Sequence, residues 1–184
     1  MAFLDTIKAR IPDYAKDIRL NLDATITRSS LPQREATGAA LAAAFAAGSP
    51  AIVNAIRDSD ALEAKDLQGA LTAASLMGMN NVWYPYVEMS GDADLKTARA
   101  ELRMSAYASH GGVDKRAFEL WSLAASIIGK CEFCVESHYR LLKDTGVTMQ
   151  ELRDVGRIAA VVNAAAQVIA AERYVEADTA LTAA

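Results

Sequence analysis

Two cysteines and a histidine fall within eight positions of this chain, in the run Cys131-Glu132-Phe133-Cys134-Val135-Glu136-Ser137-His138. The chain has no other cysteine and one other histidine, His110. If Cys131 to Leu142 is helical, Cys131, Cys134 and His138 stand at i, i+3 and i+7 and share one stripe of the helix. Gly129 interrupts the apolar run before them. Cys131 therefore opens the helix, where unpaired backbone N–H groups and the positive dipole end favour a thiolate. Lys130 adds a positive charge, and His138, one turn beyond Cys134, is spaced to take its proton. Two thiols three apart at a helix start can close a disulfide and reopen it by exchange, so the chemistry indicated is redox. Nearness to the helix start favours Cys131 as the more acidic thiol, whereas the spacing to His138 favours Cys134.

The same residues admit other readings. Two cysteines can be small buried hydrophobes. Cys131, Cys134, His138 and His110 have the types of a Cys2His2 zinc set, but there is no second close pair of ligands and His110 lies apart in a glycine-flanked stretch. Val135 follows Cys134, which excludes covalent c-type haem. A cysteine base needs an orienter. Glu119, within Ala117-Phe118-Glu119-Leu120-Trp121, is a carboxylate among apolar residues on the preceding segment, where it needs a partner and could hold the His138 ring. Glu132 and Glu136 point elsewhere on the helix wheel and read as solvated, while Trp121, Phe133 and Tyr139 read as packing residues.

The elements that must position this site read as helices. Apolar residues make up 52% of the 184, with alanine dominant, which favours closely packed helices, and no strand-like alternation is sustained. The expected class is all-α, as one domain over residues 1–184. The net charge of −4 carries no basic footprint for nucleic acid. The alanine-rich Thr37–Ala47 run stops at Gly48, so no membrane span is expected. The first residues lack a signal-peptide pattern, which points to the cytoplasm, where a disulfide would be transient and catalytic.

Pro12 opens a segment with Tyr14, Ile18 and Leu22 on one face; Ser30 and Pro32 read as the cap and first turn of a helix to Ala47. Asp60 with Glu63 resembles a capping box before Leu67, Leu71, Ala74 and Met77, with Gly78 as the stop and Asn80 capping a short further helix. Asp94 to Tyr107 is of uncertain type, Gly111-Gly112 is a loop, and Asp114 caps a helix over Lys115 to Ile128. Thr148 and Glu151 form a capping box for a last helix to about Ala177, with Leu152, Val155, Ala159, Val162, Ala166 and Ile169 as its stripe. Ala73-Ala74-Ser75-Leu76-Met77-Gly78 echoes Ala124-Ala125-Ser126-Ile127-Ile128-Gly129 at a shift of 51, which suggests two related halves, about 30–100 and 101–184, with the chemistry in the second.

Glu119, Cys131-x-x-Cys134 and His138 together resemble the alkyl hydroperoxidase D (AhpD) pattern within the carboxymuconolactone decarboxylase-like superfamily. The likeness extends to Ile11-Pro12-Asp13-Tyr14-Ala15-Lys16-Asp17-Ile18, Ile26-Thr27-Arg28-Ser29-Ser30, Met77-Gly78-Met79-Asn80-Asn81-Val82 and Phe118-Glu119-Leu120-Trp121-Ser122. It implies an all-helical fold of two related halves, assembled as a homotrimer. It also implies an antioxidant thiol oxidoreductase that reduces a peroxiredoxin, the alkyl hydroperoxide reductase AhpC, and weakly reduces alkyl hydroperoxides directly. Electrons would come from dihydrolipoamide on a lipoyl-bearing 2-oxoacid dehydrogenase component, with no bound cofactor or metal. In the roles implied, Cys134 attacks, Cys131 closes the disulfide, and His138 with Glu119 relays protons. Phe133 stands where the best-known pattern has a second histidine. Two rivals remain: a lactone-acid decarboxylase, suggested by the wider superfamily, and a helical assembly module with incidental cysteines.

Overall fold

The computed structural model describes the backbone of residues 1–182 and the side chains of residues 1–173; positions 183 and 184 of the expected second half lie outside it. The chain is all-helical, and no strand occurs among the described residues. The α-helices are α1 (Ala2–Lys8), α2 (Lys16–Leu22), α3 (Gln33–Ala46), α4 (Pro50–Arg57) and α5 (Ala64–Ser90), followed by the short α6 (Ala93–Thr97) and α7 (Ser105–Ala108). Then come α8 (Lys115–Gly129), α9 (Glu132–Asp144) and α10 (Met149–Thr182).

Helices α3, α5, α8 and α10 pack together as the core. Alanine lets them approach closely: Ala36, Ala39, Ala40, Ala42, Ala43 and Ala44 of α3 are all buried. The largest side chain in the middle is Trp121 of α8, fully buried, whose indole N–H donates to the Glu35 carbonyl of α3 at 3.1 Å. Its ring occupies the place a Cβ on Gly38 would take. Gly38→Ala should therefore force α3 and α8 apart and cost about 1–3 kcal/mol, the usual penalty for overpacking. Chemical denaturation should show a lower midpoint at unchanged slope; an unchanged midpoint would contradict this packing.

Two arginines lock the four helices at their polar ends. Arg34 of α3 bonds Asp66 of α5 at 2.6 Å and Asp114 at 2.7 Å, and Asp114 in turn caps α8 by accepting the Ala117 N–H at 2.9 Å. Arg116 of α8 holds Glu35 of α3 at 2.9 and 3.1 Å and Glu151 of α10 at 2.6 Å. Burial pushes the Asp114 carboxyl up, but the Ala117 N–H and Arg34 outweigh it and hold the group below the usual carboxylate range. The start of α8 is thereby fixed, and with it the position of Glu119 one turn further on.

Several expectations hold. Asp114 caps α8, and Thr148 and Glu151 form their reciprocal box, with the Thr148 N–H on Glu151 at 2.8 Å and the Glu151 N–H on the Thr148 hydroxyl at 3.2 Å. The expected α10 stripe is buried throughout. Met149–Arg173 is also long and apolar enough by composition to cross a membrane, contrary to the sequence reading; in this fold its stripe packs on α3 and α8.

Other expectations need correction. Tyr14 does not face the core but is 72% exposed, with its hydroxyl on Glu172 at 2.7 Å. Ser30 does not cap α3. Its N–H and hydroxyl both donate to buried Asp154 of α10 at 2.8 Å, and Pro32 takes the cap position. Glu63 stands at the cap of α5, and Asp60 makes no cap bond to it. The α5 helix does not stop at Gly78: it runs unbroken from Ala64 to Ser90, through both Gly78 and Pro85. Ala74, Met77 and Asn80 carry one buried face across the glycine, and that burial exceeds the roughly 1 kcal/mol cost of an interior glycine. The helix, glycine, helix pattern is thus a single helix in its first copy.

Candidate active site

Helix α8 ends where Lys130 turns into the left-handed region (φ 54°), and the Lys130 and Cys131 N–H groups close back onto the carbonyls of Ile127 and Ser126. Gly129 itself stays helical. A Cβ there would collide with the side chain of Asn81, which crosses from α5 to donate to the Ala125 carbonyl at 3.1 Å. The chain then re-enters a helix at once. Cys131 takes the cap position of α9, its sulfur accepting the Cys134 N–H at 3.2 Å, as the helix-start reading anticipates.

Cys131 and Cys134 are joined as a disulfide with Cα atoms 5.3 Å apart. Both are nearly enclosed, Cys131 fully and Cys134 to within 3%. Behind the pair, α9 carries His138 to buried Glu119 of α8, with Nδ1 2.6 Å from Oε2. The other carboxylate oxygen of Glu119 accepts the Tyr107 hydroxyl at 2.6 Å. Burial pushes the Glu119 carboxyl up, yet the hydrogen bonds from His138 and Tyr107 prevail and hold it below its usual range. The Tyr107 phenol is displaced upward by its own burial and by the carboxylate it serves, so it keeps its proton as a donor.

The second ring nitrogen of His138 does not meet a sulfur of the pair. Nε2 lies 3.2 Å from the thioether of fully buried Met77, and among the described residues no hydrogen bond joins the ring to Cys131 or Cys134. The direct Cys134–His138 contact that the spacing suggests is therefore absent in the disulfide, which has no thiol proton to give. With Nδ1–H committed to the carboxylate, Nε2 is the nitrogen open to proton exchange, and a thioether can accept from it but never donate to it. His110 is elsewhere, edge-on to Phe118 with centroids 5.9 Å apart, so the four residue types of a zinc set are not gathered. Outside the disulfide, Phe133 stacks on Tyr84 of α5 at 4.2 Å and is 49% exposed. A cavity of about 210 Å³ opens there, walled by Trp83, Tyr84, Val87, Leu95 and Phe133.

A paired dithiol backed by a carboxylate-held imidazole is an arrangement for thiol redox chemistry, and relatives of the chain carry names to match. The protein named alkyl hydroperoxide reductase AhpD from Rhodospirillum centenum is 46% identical over 171 residues, covering 92% of this chain and 91% of its own. Those of the same name from Maricaulis maris and Hyphomonas neptunium are 42% and 41% identical, over 92% and 96% of this chain and 98% and 99% of theirs. The chain belongs to the AhpD family. The carboxymuconolactone decarboxylase family model also matches residues 93–177, the part of this AhpD chain that holds Glu119, both cysteines and His138.

Four residues singled out in the sequence thus converge in the AhpD fold: Cys131 and Cys134 bonded to one another, Glu119 and His138 bonded to each other. Sequence reasoning missed Tyr107 and the contact of Met77 with the ring. Met77 stands in an apolar stripe that fits packing equally well. Tyr107 lies in a stretch without periodicity, and a tyrosine twelve residues before a buried glutamate is the only signal that could have found it.

Proposed function

We propose that the protein is an antioxidant thiol oxidoreductase, an alkyl hydroperoxide reductase that cycles Cys131 and Cys134 between dithiol and disulfide. The observation that carries this reading is the enclosed Cys131–Cys134 pair at the start of α9 with the Glu119–His138 pair behind it. In direct peroxide reduction, the Cys134 thiolate attacks the terminal peroxide oxygen and the O–O bond breaks. The alkoxide leaves, takes a proton and departs as alcohol, and Cys134 becomes a sulfenic acid. Cys131 then attacks that sulfur, water leaves, and the disulfide closes. Two exchange steps with dihydrolipoamide restore both thiols and release the oxidised lipoyl disulfide.

The fuller role is service to a peroxiredoxin, the alkyl hydroperoxide reductase AhpC. The dithiol reduces its disulfide, with electrons drawn from a lipoyl-bearing 2-oxoacid dehydrogenase component in the cytoplasm, by a homotrimer that binds no cofactor or metal. The enclosure of both sulfurs fits slow direct turnover of peroxide. The test combines purified protein, dihydrolipoamide, the peroxiredoxin and an alkyl hydroperoxide, omitting each in turn. Peroxide consumption should fall at least tenfold without the peroxiredoxin and stop without the dithiol. Turnover indifferent to the peroxiredoxin would sink the adaptor role, and turnover indifferent to the dithiol would sink the redox reading.

A further inference from the structure

We infer that Tyr107 is a positioning residue for the proton-relay pair: its hydroxyl, 2.6 Å from Glu119 Oε1, fixes the carboxylate that holds His138 and sets that pair's affinity for a proton. This rests on the dithiol reading of the site above and adds a residue that the family pattern does not contain.

Glu119 has two oxygens and two donors. His138 Nδ1 takes Oε2 and the phenol takes Oε1, so the buried carboxylate is satisfied at both ends and has one orientation open to it. The phenol is itself packed, although Tyr107 is only partly buried. Its ring stands edge-on to Phe118, with centroids 5.7 Å apart and planes at 79°. The chain leaves α7 through three consecutive residues of positive φ, His110, Gly111 and Gly112, and Gly111 sits against Gly69 of α5 so closely that a Cβ on it would lie 3.2 Å from the Gly69 Cα. Gly69 in turn has no room for a side chain beneath Val113. These contacts dock the segment on α5 and α8 and aim Tyr107 inward.

The groups facing this cluster are His138 of α9, with its ring centroid 6.4 Å from that of Tyr107, Tyr84 of α5, and Lys115 of α8. The relay pair is most usefully treated as one unit that takes up one proton, because two hydrogen-bonded groups titrate together. A phenol donating to the carboxylate stabilises the unprotonated, net negative form of that unit more than the neutral, protonated one. Removing the phenol raises the unit's proton affinity, and the unit then loses its capacity to accept a thiol proton at a higher pH.

The experiment is single-turnover reduction of tert-butyl hydroperoxide by the pre-reduced protein from pH 5 to 9. For Tyr107→Phe the acid limb should move up by about one pH unit, so that the rate falls about tenfold on the limb and converges with wild type at alkaline pH. A difluorotyrosine at position 107, a stronger donor of the same shape, should move the limb the other way, and it carries the test alone if the phenylalanine variant does not fold. A uniform loss across pH, or no loss, in Tyr107→Phe with an unmoved limb in the fluorinated protein overturns the assignment. Cys134→Ser run in parallel separates the two claims: if it reduces peroxide as wild type does, the dithiol reading itself has failed.

Discussion

Cys134→Ser is expected to reduce dithiol-driven peroxide turnover to the uncatalysed background, a loss of at least about a thousandfold, while leaving the fold intact. The reason is chemical and not structural. Cys134 sits in the first turn of α9 with 3% exposure, and a serine there is smaller by little and keeps the helix. What it lacks is an ionisable thiol, since a hydroxyl near a helix start stays protonated at neutral pH and does not break an O–O bond. Cys131→Ser makes the complementary case. The sulfur of Cys131 caps α9 by accepting the Cys134 N–H, and serine is among the best residues at that position, so the cap survives the change. That variant should retain one attack and lose the resolving step. It should accumulate a Cys134 sulfenic acid with peroxide, or a mixed disulfide when a monothiol attacks that sulfenic acid and water leaves, both visible by intact mass. If Cys131→Ser instead forms neither adduct while Cys134→Ser forms one at Cys131, the order of attack is reversed and the helix-start argument for the more acidic thiol prevails. Wild-type turnover in both variants would show that neither sulfur carries the reaction and would sink the dithiol reading.

The degree to which this site is legible in the sequence follows from how local its signals are. Cys131, Cys134 and His138 lie within two turns of one helix, so spacing alone places them on a common stripe. Glu119 is legible because a carboxylate among Phe118, Leu120 and Trp121 has to be paired, and the hairpin of α8 and α9 offers few partners. Met77 and Tyr107 come from segments whose relation to that hairpin is set by tertiary packing. Met77 enters because α5 continues past Gly78, and nothing in the local sequence distinguishes that glycine from Gly129. Both are in fact helical. The helix ends at Gly129 because Lys130 turns left-handed, and position 129 is glycine because Asn81 arrives from another helix. Ser30 misleads for a similar reason: a serine two residues before a proline looks like a local cap, but its hydroxyl serves Asp154, 124 positions away. Periodicity and capping disclose the helices. They are silent on which helix crosses which, and the contacts that complete the site depend on that crossing.

Glu119→Gln tests the relay at its centre and should cost both catalysis and stability. The carboxylate accepts at both ends, from His138 at 2.6 Å and from Tyr107 at 2.6 Å. An amide presents one acceptor and one donor, so one of these two buried donors is left facing an N–H. Leaving such a group unsatisfied costs about 1–3 kcal/mol, which should lower the denaturation midpoint at neutral pH. Losing the charge that orients and supports the imidazole should reduce peroxide turnover by roughly a hundredfold, the usual range for a positioned acid–base group. The pH dependence has a definite sign. Glu119 is held below the ordinary carboxylate range in the folded state, so its contribution to stability is present above its unfolded value near 4.5 and is lost as pH falls through the lower folded value. The stability gap between wild type and Glu119→Gln should therefore be full at neutral pH and narrow only below about pH 4.5. Asp114, Glu151 and Asp154 are held low by their own partners and lose stability over the same acid range in both proteins, so they cancel in the comparison. A gap that stays constant down to pH 3 would mean that the carboxylate is not the charged acceptor of this site. A gap that closes by pH 6 would mean that the imidazole, and not Glu119, carries the proton on which stability depends.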